Sequence, residues 1–307
     1  MRVKRGNMPR ATVSADEIAR FDALATQWWD PNGPMRPLHR MNPARISWIA
    51  GCIERHFPAP LGLRVLDVGC GAGLAAEAMA RRGFNVLGID AAEGMIAAAR
   101  THAEAAGFLG VMEGEGLGAI QSARPYDKAA DAPRLMTGEG PSTALYHPGE
   151  ESRGSREPPV VAGAGFARDE AGTLAYRVAT VDDLQNEGLR FPIILALEVI
   201  EHVPDQPAFV HALAALLEPG GLLVLSTLNR TGRAFIAAKI GAEYLLHWLP
   251  VGTHDWRKFV TPAELGTMLR GAGLRVSGAT GLAPDPLSGQ WRRTRGLSVN
   301  YFIAAAG

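Results

Sequence analysis

Cysteine is scarce in this chain, net charge is absent, and no long apolar run occurs in its 307 residues. The two cysteines, Cys52 and Cys70, lie far apart and one sits inside a glycine-rich segment. Neither a disulfide framework nor a zinc cluster is expected from that pair, and a reducing, cytoplasmic setting follows most simply. Lysine plus arginine number 31 against 31 acids, for a net charge of zero. That balance argues against a nucleic-acid binder relying on a global basic field, although a local basic patch stays open. No stretch reaches the roughly 20 continuous apolar residues of a membrane span, so a soluble or peripheral protein is expected. Arg2, Lys4, Arg5 and Arg10 open the chain, but no apolar core follows them as in a secretory signal, which leaves only a short organellar leader open. No internal repeat is visible. With 47% apolar and 20% charged residues, one substantial core and one α/β domain with additions are expected.

The most informative segment is Val65-Leu66-Asp67-Val68-Gly69-Cys70-Gly71-Ala72-Gly73, followed by the helix-prone Leu74-Ala75-Ala76-Glu77-Ala78-Met79-Ala80. A buried strand here turns tightly into a helix. Glycines let backbone N–H groups approach a ligand, and the helix N-terminus favours negative charge. Val86-Leu87-Gly88-Ile89-Asp90 is a second apolar run, and its terminal carboxylate suits a ribose. The G-x-G-x-G spacing departs from the G-x-G-x-x-G of dinucleotide enzymes and fits S-adenosylmethionine better than NAD. An NAD oxidoreductase is the weaker alternative.

The pattern predicts strands at 64–68 and 84–89, and helices at 73–82 and 92–106. Alternation at this spacing implies a parallel, doubly wound, Rossmann-like sheet. Ahead of it, Ser14 and Glu17 read as a capping box for a helix to about Ala25, and a Pro-punctuated loop reaches Pro43 before a helix from Ala44 to Phe57. Residues 1–60 would form a helical lid, and 61–307 the main domain. Residues from about 109 to 172 are rich in Gly, Pro, Ser and charge and read as a largely disordered insertion, with a small ordered appendage as the alternative. Beyond it, strands are expected at 174–178, 191–197, 221–227, 274–277 and 298–304, with helices at 206–217 and 262–272.

Glu198-Val199-Ile200-Glu201-His202-Val203-Pro204 follows the 191–197 strand on the ligand-bearing edge of such a sheet. Glu198, Glu201 and His202 would share a side if the segment is helical, and such a set suits Mg²⁺, Mn²⁺ or Zn²⁺. Purely structural roles for the three stay open. Without a metal, His202 is the natural general base, or a hydrogen-bonded histidine holding a loop. Residues 232–250 carry Lys239, Glu243 and His247 as a polar stripe on an otherwise apolar helix. That pattern suits a membrane interface, a cover for a greasy substrate, or plain burial.

These residues together resemble the ubiquinone-biosynthesis O-methyltransferases, a family of class I S-adenosylmethionine enzymes. The matching text includes Trp28-Trp29-Asp30, Leu38-His39-Arg40-Met41-Asn42-Pro43, the glycine loop, Glu198 to Pro204, Gly252-Thr253-His254-Asp255-Trp256 and Val299-Asn300-Tyr301. The resemblance implies a seven-stranded sheet and methylation of a catechol or phenol hydroxyl on polyprenylated ubiquinone precursors, at two steps. It implies Arg45, Gly69, Asp90 and Leu197 at the S-adenosylmethionine site, with Gly71 and Gly73 shaping the loop. It also implies Glu198, Glu201 and His202 as divalent-metal ligands, Glu201 and His202 acting in catalysis. Peripheral membrane contact through about 232–250 is implied, at the bacterial inner membrane or the mitochondrial matrix side, beside a quinone-synthesis protein complex. A catalytically silent scaffold and an enzyme for another small phenol are the alternatives. The insertion departs from the family pattern, as does Phe191-Pro192-Ile193, where the family tends to carry an Asp.

Overall fold

The computed structural model describes residues 15–108, 172–231, 258–285 and 289–307. The expected insertion, except Gly172, and the whole 232–250 segment lie outside these residues, as do Ser14 and Trp256.

Five strands form the parallel body of one sheet: β1 (Arg64–Val68), β2 (Asn85–Asp90), β3 (Leu174–Val178), β4 (Phe191–Leu197) and β5 (Leu217–Leu228). Three more complete it: β6 (Arg275–Pro284), β7 (Trp291–Thr294) and β8 (Asn300–Ala306). Their spatial order is β3-β2-β1-β4-β5-β8-β6-β7. The last-formed strand in sequence, β8, runs antiparallel between β5 and β6. The expected seven-stranded sheet is thus present, and the short β7 hairpins onto its edge. Strand order reverses direction between β1 and β4, and a doubly wound sheet opens its ligand crevice at the carboxyl ends of the strands beside such a point.

The parallel strands are apolar on both faces because helices cover both. In β4, Ile193, Leu195 and Leu197 enter one core cluster while Ile194 and Ala196 enter the other, the two-residue period of a strand. One face carries α2 (Arg36–His56), α3 (Leu74–Ala80) and α4 (Glu93–Ala105). The other carries α5 (Val181–Asn186), α6 (Gln206–Leu216) and α7 (Pro262–Gly271). Thr180 and Thr261 cap α5 and α7 with reciprocal capping boxes.

Three expectations are corrected. The helix expected from Ala44 begins at Arg36, eight residues earlier, and takes Pro43 into its interior. Pro37 lies in its first turn, where a missing N–H costs nothing, and burial of Met41, Ile46, Ile49 and Ile53 outweighs the one bond Pro43 removes. The second half of α2 is therefore a layer of the core, and only the residues before it, with its first turns, cover the cavity. The strand expected at 274–277 runs on to Pro284. Pairing with β8 and β7 carries the chain past Gly278 and Gly281, through a register shift between Val276 and Gly278. The helix α1 (Ala15–Asp22) ends three residues short of Ala25, which opens a 3₁₀ turn, Ala25–Gln27.

Candidate active site

A cavity of about 400 Å³ lies at the carboxyl ends of the parallel strands. The segments after β1, β2, β3 and β4 all line it, and α1 and the start of α2 cover it.

The glycine loop is shaped by what touches it. Gly69 has φ +64°, and a Cβ there would stand 2.6 Å from Val199, so the turn after β4 packs directly on the loop. Gly71 N–H donates to Asp90 Oδ2 at 2.9 Å, and Ala92 N–H donates to Oδ1 at 2.9 Å. Asp90 is thereby fixed at the tip of β2, and burial raises its pKa despite those bonds. Gly73 precedes α3 and its carbonyl accepts from the Tyr176 hydroxyl. Leu197, the last residue of β4, lines the same cavity.

Arg45 enters from α2 and is 4% exposed. Its Nε donates to Asn42 Oδ1 at 2.7 Å, and Nη1 stands 4.0 Å from Glu198 Oε2. Burial lowers its pKa, opposed by the charges of Glu198 and Asp67. Two polar atoms of cavity-lining residues lack partners among the described residues: Asp67 Oδ2 and Trp28 Nε1. A buried acceptor and a buried donor left unsatisfied in one pocket fit a ligand bearing both kinds of group. S-adenosylmethionine is such a ligand, and its cationic end suits Asp67.

Glu198, Glu201 and His202 sit close together but engage three different partners. Glu198 has a left-handed backbone, φ 58°, and its N–H donates to the Ser226 carbonyl at 3.0 Å. That conformation turns its carboxylate toward Arg45. Glu201 and His202 belong to a 3₁₀ turn, Ile200–His202. Glu201 is 4% exposed and accepts from Thr227 Oγ1 at 2.8 Å. His202 Nδ1 donates to Glu17 Oε2 at 3.1 Å. Burial pulls the imidazole pKa down, but Glu17 and Glu201 outweigh it and hold it above the ordinary value. Burial raises the pKa of both Glu198 and Glu201. Among the described residues no group of three or more His, Cys, Asp or Glu side chains is placed to hold a metal ion. The donor types suit a divalent cation, but as arranged here Glu198 faces Arg45, Glu201 takes Thr227 and His202 Nδ1 takes Glu17, so the three do not converge on one.

Sequence reasoning missed the part played by four residues. Glu17 reads as a helix cap by its spacing from Ser14, yet its side chain reaches His202. Trp28 reads equally as loop packing or as contact with an interface or a greasy substrate, and it covers the glycine loop. Thr180 and Val181 line the cavity after β3, and nothing in their local pattern marks them.

A family model described as a methyltransferase domain matches residues 39–277. The ubiquinone biosynthesis O-methyltransferase of Methylobacterium nodulans is 39% identical over 301 residues, spanning 96% of this chain and 95% of the relative. The protein of the same name from Azorhizobium caulinodans is 37% identical, over 95% and 93% of the two chains. That from Paramagnetospirillum magneticum is 39% identical, over 95% and 94%. Among solved structures, magnesium protoporphyrin IX methyltransferase from Synechocystis PCC 6803 with bound SAH superposes with a TM-score of 0.52 at 15% identity, covering 94% of this chain and 98% of that one. The last is a likeness of fold.

Proposed function

The chain belongs to the ubiquinone biosynthesis O-methyltransferase family, and from that membership we propose that it transfers a methyl group from S-adenosylmethionine to a catechol or phenol hydroxyl of a polyprenylated quinone precursor, at two steps. The observation that carries the reading to this site is the cavity itself. The glycine loop, with Asp67 and Asp90, shares its walls with the apolar Ile18, Phe21, Leu24, Met35, Leu38 and Met41. A charged cofactor and a greasy acceptor fit such a mixed lining.

Arg45, Gly69, Gly71, Gly73, Asp90 and Leu197 would hold the cofactor, with Asp67 as a further acceptor. When bound, S-adenosylmethionine supplies an electrophilic methyl group on a sulfonium sulfur. The protein's part is positioning and proton removal. His202, with Nδ1 held by Glu17, presents Nε2 to take the proton of the acceptor hydroxyl. Glu201, buried beside it, stabilises the imidazolium that forms. The apolar wall keeps water from the reacting oxygen and receives the prenyl chain.

No helix among the described residues is long and apolar enough to cross a membrane. The amphipathic pattern of 232–250 supports peripheral contact with a membrane that holds the prenylated substrate.

The test is a transfer assay with a short-prenyl catechol, read by mass spectrometry, with and without EDTA. One added methyl per acceptor is expected, with His202→Ala losing most turnover. Cofactor binding without transfer at any divalent-metal concentration would instead favour a silent scaffold. A strict loss of transfer in EDTA would bring Glu198, Glu201 and His202 back as metal ligands in a rearranged site.

A further inference from the structure

The helix α1 touches both rims of the cavity. At one end Asp22 Oδ1 accepts from the Gly94 N–H at 2.9 Å, in the first turn of α4 and just past β2. At the other, Glu17 Oε2 accepts from His202 Nδ1, just past β4. Phe21, four residues from Glu17 and so on the same helical face, sets its ring edgewise to the imidazole, with centroids 5.1 Å apart and planes at 83°. One residue of the turn after β4 is thus gripped twice by a helix from a different part of the chain.

The contacts of Glu17 are unequal. Its Oε1 stands 3.5 Å from Arg20 and 3.7 Å from Lys258, whereas Oε2 is given to His202. Both side chains of the pair are largely enclosed, at 14% and 17% exposure. An ionised carboxylate only accepts, so in the neutral imidazole the proton sits on Nδ1 and Nε2 is left as the acceptor. His202 makes no other side-chain hydrogen bond among the described residues, and it lines the cavity.

We propose that Glu17 is a positioning residue for the reaction, holding His202 in the Nδ1–H tautomer with Nε2 toward the acceptor hydroxyl. The inference rests on the proposed role of His202 and adds that the imidazole is oriented only while Glu17 reaches it from α1. A helix that covers the cavity thus also orients its proton acceptor.

Three full-length variants test this: Glu17→Ala, Glu17→Gln, which keeps an acceptor oxygen, and Asp22→Ala, which frees the other end of α1. Each is assayed with S-adenosylmethionine and a short-prenyl catechol for kcat and KM, and by ¹⁵N NMR of the His202 imidazole. Cofactor titration confirms that each is folded. Glu17→Ala is expected to lower kcat about 10- to 100-fold, the size of loss seen when a hydrogen-bond partner that orients a metal-bound histidine is removed. Its imidazole spectrum should lose the single Nδ1–H pattern. Glu17→Gln should recover most of kcat and the pattern. Asp22→Ala should act mainly through KM and leave the pattern intact. Parental kcat in Glu17→Ala overturns the proposal, as does a lower kcat with an unchanged imidazole spectrum, or equal losses in Glu17→Ala and Asp22→Ala. His202→Ala separates the two levels. If it stays active, the reading of His202 fails; if it is dead while Glu17→Ala is fully active, only the role of Glu17 fails.

Discussion

Trp28 lies against the space that Gly71 leaves open: a Cβ on Gly71 would stand 2.7 Å from the indole Cζ2. The backbone there has φ +54°, a left-handed conformation that costs a residue with a Cβ about 1–2 kcal/mol. Gly71→Ala is therefore expected to lose about that much stability and to push Trp28 off the loop. Cofactor affinity should fall about tenfold, equivalent to 1.4 kcal/mol. Urea unfolding and calorimetric titration with S-adenosylmethionine read the two effects. Unchanged affinity would show that Trp28 does not cover the bound cofactor.

Asp67 gives a pH dependence whose sign is fixed by its burial. Desolvation raises its pKa from 3.8 to about 7, against the pull of Arg45. Between those two values the folded protein holds a proton that the unfolded chain has released, so this group's contribution falls as pH rises through the window. Asp67→Asn should flatten the slope of unfolding free energy between pH 4 and about 7. A cationic cofactor favours the ionised carboxylate, so its binding near pH 6 should release a proton in the parent and less in Asp67→Asn. Calorimetry in two buffers of different ionisation enthalpy measures that difference.

Arg64 and Glu218 form a buried ion pair joining the starts of β1 and β5. Removing one partner strands the other's charge, at a cost of about 3–5 kcal/mol, while an apolar pair of similar volume is often neutral. Arg64→Met and Glu218→Leu should each be strongly destabilising alone and nearly neutral together. A double-mutant cycle by denaturant unfolding that came out additive would show no coupling.

The imidazole of His102 stacks on Trp29, with centroids 3.3 Å apart and parallel planes, and its Nδ1 pairs with the fully buried Glu77. Trp29 Nε1 donates to the Ala72 carbonyl at 2.9 Å. His102→Ala should cost about 1–3 kcal/mol by leaving the buried Glu77 Oε1 without its partner while Arg81 still holds Oε2. It should also speed hydrogen exchange across residues 15–35 while leaving β4 protected.

The central strands and their helices are legible because burial on both faces demands continuous apolar runs, and β1, β3 and β4 match their expected bounds. Asp90 and the glycines were legible for a local reason: the loop's conformation needs those residue types wherever the rest of the chain goes. The start of α2 was hidden by Pro37 and Pro43, whose local cost is overridden by long-range packing. The continuation of β6 past Ser277 was hidden because exposed pairing leaves no alternation to read. Glu17 was hidden most thoroughly. Its partner is 185 residues away, and spacing within a helix carries no trace of that contact.

Glu198 is the one residue other than glycine with a positive φ among those described. Glycine or asparagine would suit that backbone better, and Glu198→Gly should therefore unfold at higher denaturant than the parent while losing the carboxylate that faces Arg45. In a library selected for thermal survival alone, this position would drift away from glutamate early. Under selection for turnover it would stay fixed, and the gap between the two outcomes measures how far the chain trades robustness for work at the turn after β4.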